Sequence, residues 1–205
     1  MVVVKRTRLT SEQRRSQLIE LGVTMLADRT LEQLSVDDIA DEAGVSRGLL
    51  FHYFGSKHEF HVEIVRHTSQ QMLDRTEPPA DLEPLDTLHS VLTSYVGYVT
   101  ENRASYVSLL RGTASGDPDM RALFERTRDV MADRTLLQLP RLGIERTPTI
   151  DLAVRGWIAF VEEVTITWLG DPRIDREELI ELTARALPSL ALPPELSAAL
   201  ASMRS

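Results

Sequence analysis

The sequence predicts an all-α fold in which three short helices and a long fourth helix precede a larger C-terminal helical domain. Apolar residues recur at three- and four-residue spacings along most of the chain, as amphipathic helices require. The interruptions between these runs carry helix-capping residues, glycine and proline. One strand-like run, VTITW, lies inside residues 149–169, which contain no proline and a single glycine, so a helix accounts for it better.

The first two helices are marked by their capping residues. Thr10 and Gln13 have the spacing of a capping box. Ser35 predicts the N-terminus of the second helix, with Asp38 at its third helical position. The apolar positions that follow are Leu18, Leu21, Met25 and Leu26 in the first helix, and Val36, Ile39, Ala40 and Ala43 in the second.

Glycines and serines divide the next segment into two further helices. Gly44 predicts the end of the second helix, and Ser46 predicts the start of a short third one. Gly55 ends that helix, and Ser56 caps a fourth helix that we expect to run to about Arg75. The short turn between the second and third helices contains glycine, as helix-turn-helix motifs often do.

Prolines separate this part of the chain from the C-terminal helices. Pro78 and Pro79 follow the fourth helix, and Pro118 directly after Asp117 predicts a capped helix with proline in its first turn. No assignment follows for the chain after Pro188. Between Pro79 and Pro188, the predicted helices span approximately residues 83–101, 103–112, 118–138, 148–169 and 174–187.

The charge of the chain is unevenly distributed, which changes how it bears on nucleic-acid binding. The formal net charge is −8, and this argues at first sight against a partner rich in phosphate. Residues 1–57 nevertheless carry eight basic and eight acidic side chains, so the whole acidic excess lies beyond them. Basic residues collect at the start of the chain, ahead of the acids at 37–42, and this separation allows one basic face.

Composition limits the class of protein further. Hydrophobic residues make up 42% and charged residues 26% of the chain, as in globular proteins. The absence of cysteine excludes disulfides, thiolate catalysis and cysteine-ligated zinc. The apolar stretches are too short for a membrane span or a signal peptide, so we expect a cytoplasmic location with no membrane partner.

Residues 36–54 have the spacing of a helix-turn-helix motif. Ala40 is small where the two helices would cross, Gly44 suits the tight turn, and Leu50 points back into the core. On a helical wheel, Gly48 and His52 then face outward. This outward face of the third helix is the surface that would enter a DNA major groove.

The segment DDIADEAGVSRGLLFHYFGSKHEF, residues 37–60, resembles the DNA-binding domain of the tetracycline-repressor (TetR) family of bacterial transcription regulators. The resemblance implies a helix-turn-helix DNA-binding domain over residues 1–56, joined by the long fourth helix to a helical effector-binding and dimerisation domain over 57–205. It implies a ligand-responsive regulator, most simply a repressor, that binds a palindromic DNA operator as a dimer. A small-molecule effector would release it, and no cofactor is expected.

The resemblance also assigns DNA contacts to positions of this chain. Arg47 falls where such proteins meet base edges and suits a guanine contact, and Lys57 falls on a phosphate contact at a helix N-terminus. Leu49 and Phe51 depart from the family pattern, which often has hydroxyl-bearing residues there. The implied DNA-binding residues are Ser35, Ser46, Arg47, Gly48, Leu49, Phe51, His52, Tyr53 and Lys57, and Lys5, Arg6 and Arg8 are expected to form an arm.

Helix 148–169 is apolar around much of its circumference, which indicates burial on two sides. We expect one side to face the core of its own subunit and the other a partner subunit. A two-fold homodimer would then pair the helices near 148–169 and 174–187. A monomer with a thick core is the alternative. The two faces carry Ile150, Val154, Trp157, Val161, Val164 and Trp168 on one, and Ala153, Gly156, Phe160 and Thr167 on the other.

Aromatic and polarizable residues of the middle helices are candidates for an effector pocket, although their spacing equally suits a plain core. Glu162 and Glu163 interrupt the most apolar helix. A buried carboxylate there would favour a cationic effector, and the alternatives are a pair with an arginine such as Arg155 or a solvent-facing position. The candidate pocket residues are Tyr95, Tyr98, Tyr106, Phe124, Met131, Trp157, Phe160 and Glu163.

Two other classes of function remain as alternatives. His58 and His61, with Glu63 and His67 nearby, have a spacing that metal ions accept, but solvated or phosphate-adjacent histidines on an exposed helix beside Lys57 explain them better. No glycine-rich phosphate loop and no convincing nucleophile and base are evident, so neither a metal site nor an enzyme is expected. The other alternative is a helical interaction scaffold that has lost DNA binding.

Overall fold

The computed structural model describes residues 9–202, so the arm expected at Lys5, Arg6 and Arg8 lies outside the described residues. Within residues 9–202 there are helices and no strand, which confirms the all-α prediction. Short 3₁₀ helices span Leu31–Gln33, Thr113–Gly116 and Leu139–Leu142. The α-helices are α1 (Ser11–Met25), α2 (Val36–Ala43), α3 (Arg47–Phe54), α4 (Lys57–Arg75), α5 (Pro84–Glu101), α6 (Arg103–Arg111), α7 (Pro118–Leu136), α8 (Pro148–Gly170), α9 (Arg176–Ala191) and α10 (Pro194–Ser202).

The described chain divides into two compact units. The first contains the chain up to Thr68 together with Ala104–Arg121, and the second contains Ser69–Arg103 and the chain from Ala122 onward. Helices α4 and α7 each contribute residues to both units. The division at residue 56 concerns function, between DNA binding and effector binding, and it stays a prediction.

The caps of the first unit fix the position of the turn between α2 and α3. The capping box predicted at the start of α1 is present. The hydroxyl of Ser35 accepts from the N–H of Asp38 at 3.0 Å, and that of Ser46 accepts from the N–H of Leu49 at 3.2 Å. Gly44 ends α2 with φ at 63°, a left-handed conformation that glycine adopts without strain. The helix-turn-helix predicted from these residues is therefore the local structure.

An apolar core anchors α3 against α1 and α4. The ring of Phe54 packs edge-on against Phe60 with the ring centroids 4.7 Å apart, and both side chains are buried. Gly22 permits close contact between α1 and α4, because a Cβ there would lie 2.5 Å from Cδ1 of Ile64. With Leu50 fully buried on the same side, the opposite side of α3 is left on the surface. Other fully buried residues of this core are Leu18, Leu26, Leu34, Ile39 and Val65.

The second unit is organised around α5, α8 and α9. The indole N–H of Trp157 donates to the carbonyl of Thr183 at 2.8 Å, which joins α8 to α9. Arg176 donates to the carbonyl of Thr93 at 2.9 Å, which joins α9 to α5. Gly97 leaves room for this arginine, since a Cβ there would come within 3.0 Å of the guanidinium. These contacts hold together the helices that line a cavity described below.

Two details of the C-terminal half differ from the predictions. Helix α9 continues through Pro188 to Ala191, and the carbonyl of Pro188 still accepts from the N–H of Leu192 at 3.0 Å. The helix predicted over 118–138 ends at Leu136, and the side chain of Leu137 just beyond it is 71% exposed. Within residues 9–202, no helix combines the length and apolar character needed to cross a membrane.

Candidate nucleic-acid interface and ligand cavity

The first turn of α3 presents an arginine that is held by an acid of α2. The Nε atom of Arg47 lies 3.1 Å from Oδ1 of Asp37, and both side chains are largely exposed. The guanidinium carbon also lies 5.9 Å from the centre of the Phe51 ring. The arginine is therefore accessible while its direction is restrained on two sides.

Gly48 follows directly on the same exposed turn. It has an ordinary helical backbone, and a Cβ added there would meet nothing closer than Oγ of Ser46 at 3.9 Å. Neither the backbone conformation nor the packing of the fold therefore requires glycine at this position. Glycine does allow another molecule to approach the α3 backbone closely.

The remaining α3 candidates differ in exposure. His52 is exposed, whereas Leu49, Phe51 and Tyr53 are half-buried. The rings of His52 and Tyr53 meet edge-on with their centroids 5.6 Å apart. Tyr53 thus keeps part of its surface available, and all four side chains lie on or beside the exposed side of α3.

The other predicted DNA contacts sit at helix N-termini. Ser35 and Ser46 cap α2 and α3, and Lys57 is the first residue of α4. The Nζ atom of Lys57 donates to the carbonyl of Glu32 at 3.2 Å. Since this acceptor is neutral, the ammonium charge is not cancelled, and it lies beside a helix N-terminus that favours anions.

The two histidines considered as metal ligands point to different surroundings. Nε2 of His61 lies 3.3 Å from the carbonyl of Leu34, and the side chain is buried. His58 is exposed, and its Nε2 lies 2.9 Å from Asp119, with Asp117 3.6 Å from its Nδ1. Among the described residues, His58 is grouped with Asp117 and Asp119 as a set that could hold a metal ion, and His61 is not part of that set.

The environments of the two histidines shift their pKa values in opposite directions. The hydrogen bond to Asp119 raises the pKa of His58 above its usual value, with support from the charges of Asp117 and Glu59. Burial lowers the pKa of His61, and the charge of Lys57 adds to this effect. At neutral pH, His61 is thus an uncharged core residue.

A cavity of about 120 Å³ lies within the second unit. Its walls come mainly from α5, α7, α8 and α9 and from the segment 138–144, and they are predominantly aliphatic and aromatic. Such concave, apolar sites are typical of small-molecule binding. The polar wall residues are Thr76, Thr87, Arg134, Thr135, Gln138 and Glu162.

The predicted pocket residues divide between wall and core positions. Tyr95, Met131 and Trp157 line the cavity. Tyr98 is buried outside the wall, and burial raises its pKa to about 12. Tyr106 is buried in the first unit and does not line the cavity. Tyr98 and Tyr106, which were suggested by their aromatic character and helical spacing, are therefore core residues.

Three further residues that were predicted to line the pocket do not line this cavity, and Arg155 has a different partner from the one suggested. Phe124 and Phe160 are half-buried and are not wall residues of this cavity. Glu163 is exposed on α8 and is not a wall residue either. Arg155, suggested as a partner for the α8 carboxylates, pairs instead with Asp129 of α7.

Glu162 is the carboxylate on the cavity wall, and it is neutralised by an arginine of α7. The Nε and Nη2 atoms of Arg128 donate to Glu162, with the shortest distance 2.8 Å. Glu125 accepts from the same arginine at 2.7 Å. Although partial burial opposes the charged form, these contacts raise the pKa of Arg128. This bidentate geometry is the strongest form of an arginine–carboxylate pair.

Comparison with known families bears on both parts of the chain. The bacterial regulatory proteins of the tetR family match residues 18–64, and the tetracyclin repressor-like C-terminal domain matches residues 84–188. The chain belongs to the TetR family of transcriptional regulators. This family consists of DNA-binding regulators, so this TetR-family protein is not an enzyme.

Individual relatives agree with this membership. The crystal structure of a TetR-family regulator from Streptomyces coelicolor is 30% identical with a TM-score of 0.77, covering 94% of this chain and 85% of that one. The repressor KstR2 of Mycolicibacterium smegmatis is 40% identical over 75 residues, which span only 37% of KstR2 and 33% of this chain. The activator FasR of the same organism is 22% identical over 87% of this chain and 83% of FasR.

Sequence reasoning about this TetR-family protein missed most of the cavity wall. Leu85, Leu88 and Leu92 of α5 line it together with the predicted Tyr95, and their three- and four-residue spacing was a usable signal. It also missed Asp37 as the partner of Arg47. That pairing depends on how α2 and α3 cross, so spacing along one helix could not reveal it.

Proposed function

We propose that this TetR-family protein is a cytoplasmic, ligand-responsive repressor that binds a palindromic operator as a homodimer and is released by a small-molecule effector. The observation that carries the proposal is the exposed first turn of α3, where Arg47 and Gly48 lie on a helix that its cap and its buried side hold in place. A helix presented in this way fits the DNA major groove.

Each DNA contact in the proposal has its own chemistry. Arg47 donates two hydrogen bonds to O6 and N7 of a guanine, and Leu49 contacts a thymine methyl group. Lys57 and the N–H groups at the starts of α2 and α3 bind phosphates, and His52 and Tyr53 approach the backbone. Base reading thus rests on the first turn of α3, while the surrounding groups set its position.

The dimer in the proposal uses the outer faces of α8 and α9. Leu152 of α8 is 73% exposed, and Gly156 and Ala159 are exposed on the same helix. On α9, Leu182 is 42% exposed. An exposed leucine beside small residues suits close packing against an identical face, as two-fold symmetry requires.

Release from DNA is assigned to the cavity of the second unit. An effector bound there, in contact with Tyr95, Met131 and Trp157, favours a conformation of the dimer in which the two α3 helices no longer match successive major grooves. The effector shifts the population only to the extent that it binds this conformation more tightly than the DNA-bound one.

Fluorescence polarisation with the DNA that flanks the gene for this protein, against random DNA of equal length at two salt concentrations, tests the proposal. Arg47→Ala should weaken binding to the specific fragment by roughly 1–3 kcal/mol and leave random DNA nearly unaffected. Lys57→Ala should weaken binding to both and lower the salt dependence. Arg173→Ala, which removes an exposed arginine beyond α8, is the charge-matched control.

Selection from random sequences covers the case in which the operator lies elsewhere. A protein that enriches no sequence and binds all DNA equally contradicts the proposal. Equal effects of the Arg47 and Lys57 variants on specific and random DNA contradict the division of roles between base reading and phosphate binding.

A further inference from the structure

We infer that the effector of the cavity is an uncharged, largely apolar small molecule. This inference rests on the proposed ligand response and names the chemistry that the site accepts. It begins from the wall, where aliphatic side chains such as Leu88, Ile158 and Val161 surround the space together with Trp157. Binding at such a wall is driven by removal of apolar surface from water.

The threonine hydroxyls and the indole group of the wall already have partners inside the protein. The indole N–H of Trp157 donates to the Thr183 carbonyl, so it is not available to a ligand. A polar ligand would give up hydrogen bonds to water and find few replacements, which disfavours its binding. The threonine hydroxyls of the wall donate within the chain as well, Thr76 to Met72 at 2.7 Å, Thr87 to Leu82 at 3.3 Å and Thr135 to Met131 at 3.0 Å.

The two charged wall residues are likewise satisfied by the protein. Glu162 accepts from two nitrogens of Arg128, so a cationic ligand would have to displace an arginine already in place. Arg134 donates to the carbonyl of Leu73 at 2.7 Å and to the carboxylate of Glu77 at 3.1 Å. An anionic ligand therefore finds no free counter-charge at Arg134. Moving an unpaired charge out of water into this cavity is costly, so both kinds of ion should bind more weakly than a neutral molecule of the same size.

The size of the cavity suggests suitable probes. Apolar cavities near 150 Å³ hold a single aromatic ring, and the cavity here measures about 120 Å³. Three probes share such a ring and differ in charge: toluene is neutral, benzoate is an anion and benzylammonium is a cation. Comparing them isolates the effect of charge at nearly constant size.

Isothermal titration calorimetry with the full chain at pH 7 is the test. We expect toluene to bind at least about tenfold more tightly than either ion, because only the ions lose hydration that the wall cannot replace. Benzoate or benzylammonium binding as tightly as toluene overturns the inference. Failure of toluene to bind up to its solubility limit also overturns it.

Breaking the wall ion pair should change this preference in a defined direction. Arg128→Met leaves Glu162 without its arginine, and benzylammonium should then bind at least about fivefold more tightly than to the unmodified protein. Arg155→Met is the matched control, because Arg155 pairs with Asp129 and neither residue lines the cavity. No gain for benzylammonium in Arg128→Met, or the same gain in the control, contradicts the role given to the pair.

Filling the cavity separates binding at this site from binding elsewhere. Ile158→Phe and Leu88→Phe place extra volume at the wall from two different helices, and either should abolish toluene binding. Leu137→Phe adds the same kind of ring at an exposed position and should leave it unchanged. Toluene binding that persists in both filled proteins overturns the assignment to this cavity.

DNA binding without any ligand keeps the two proposals apart. Each filled protein is first titrated with the operator fragment, and normal affinity shows that it is folded and reads DNA. If the unmodified protein fails to select any operator, the proposed function fails whatever the probes do. If operator binding is normal and a charged probe is preferred, only the inference about the effector fails.

Discussion

Arg47 and Asp37 form an ion pair that joins the two helices of the helix-turn-helix motif, with Nε and Oδ1 3.1 Å apart. Their side chains are 61% and 59% exposed, so water screens the pair and it contributes little to stability. Its consequence lies in position, since it directs the guanidinium at the first turn of α3. It also places a negative charge beside the residue proposed to read DNA.

Replacing Asp37 by Asn should raise affinity for random DNA by roughly two- to fivefold, because a negative charge near phosphate is removed. Preference for the operator should fall, since Arg47 is no longer held. The free energy of unfolding should change by less than about 1 kcal/mol. Polarisation titrations measure both affinities, and Asp41→Asn, at an exposed acid of the same helix, is the control. The same loss of preference in both variants would argue against a specific role for Asp37.

Gly48→Ala should separate stability from DNA binding. The new methyl group meets no atom of the protein closer than 3.9 Å, and alanine is the better helix former, so the protein should gain up to about 1 kcal/mol of stability. Operator affinity should drop by about tenfold or more if DNA approaches the α3 backbone closely. Urea unfolding and polarisation measure the two quantities. Unchanged operator binding would rule out close approach at this residue.

His61 should make the stability of the protein fall as the pH is lowered. Its pKa in the folded protein is depressed by burial, so the unfolded chain binds the proton more readily. The stability that the neutral ring provides is present above the unfolded pKa of about 6.5 and is lost as pH falls below it. Urea unfolding between pH 5 and pH 7 should show this slope, and His61→Asn should flatten it.

His58 should act in the opposite direction on the same helix. Its folded pKa is raised by Asp119, so its contribution is present below about 6.5 and is lost as pH rises through the folded value. The ring is exposed, and added salt should weaken the effect. His58→Asn should therefore remove a loss of stability on the alkaline side and leave the acid slope unchanged. Identical pH profiles for the His58 and His61 variants would contradict these assignments.

Leu152→Glu should disrupt the proposed dimer. A charge on the exposed leucine of α8 would be buried without a partner in the interface, and two copies would face each other across the two-fold axis. Sedimentation of the unmodified protein should give twice the chain mass of 23.1 kDa, and the variant should give the monomer mass. Leu137→Glu, at a similarly exposed leucine outside α8 and α9, should remain dimeric. A monomeric unmodified protein at micromolar concentration would contradict the dimer.

Local sequence signals were sufficient for the helix-turn-helix. The hydroxyls of Ser35 and Ser46 and the left-handed Gly44 determine their turn through contacts within three or four residues, which a single sequence reveals. The same segment carried the resemblance to the TetR family. Helix capping within a few residues therefore accounts for most of the secondary structure that was predicted for the first unit.

The cavity could not be predicted in the same way, because its wall depends on contacts between distant segments. Glu162 and Glu163 are adjacent, yet only the first lies on the wall, where an arginine 34 positions earlier meets it. Helical periodicity shows that neighbours point in different directions, but not which direction faces α7. Tyr106 is a second example. Its helical spacing suited a pocket residue, but its side chain is buried in the first unit and the cavity lies in the second.

The first unit is built from two separate segments of the chain, and this affects its folding during synthesis. The ribosome delivers the chain in order, so this unit lacks Ala104–Arg121 until after Ser69–Arg103, which belongs to the second unit, has been synthesised. A product that stops at residue 56 would also lack Phe60 and Ile64, which are fully buried. We therefore expect nascent chains to lack part of the packing of the first unit until about 121 residues have emerged, and we expect a product that ends at residue 56 to expose apolar surface that chaperones and proteases recognise.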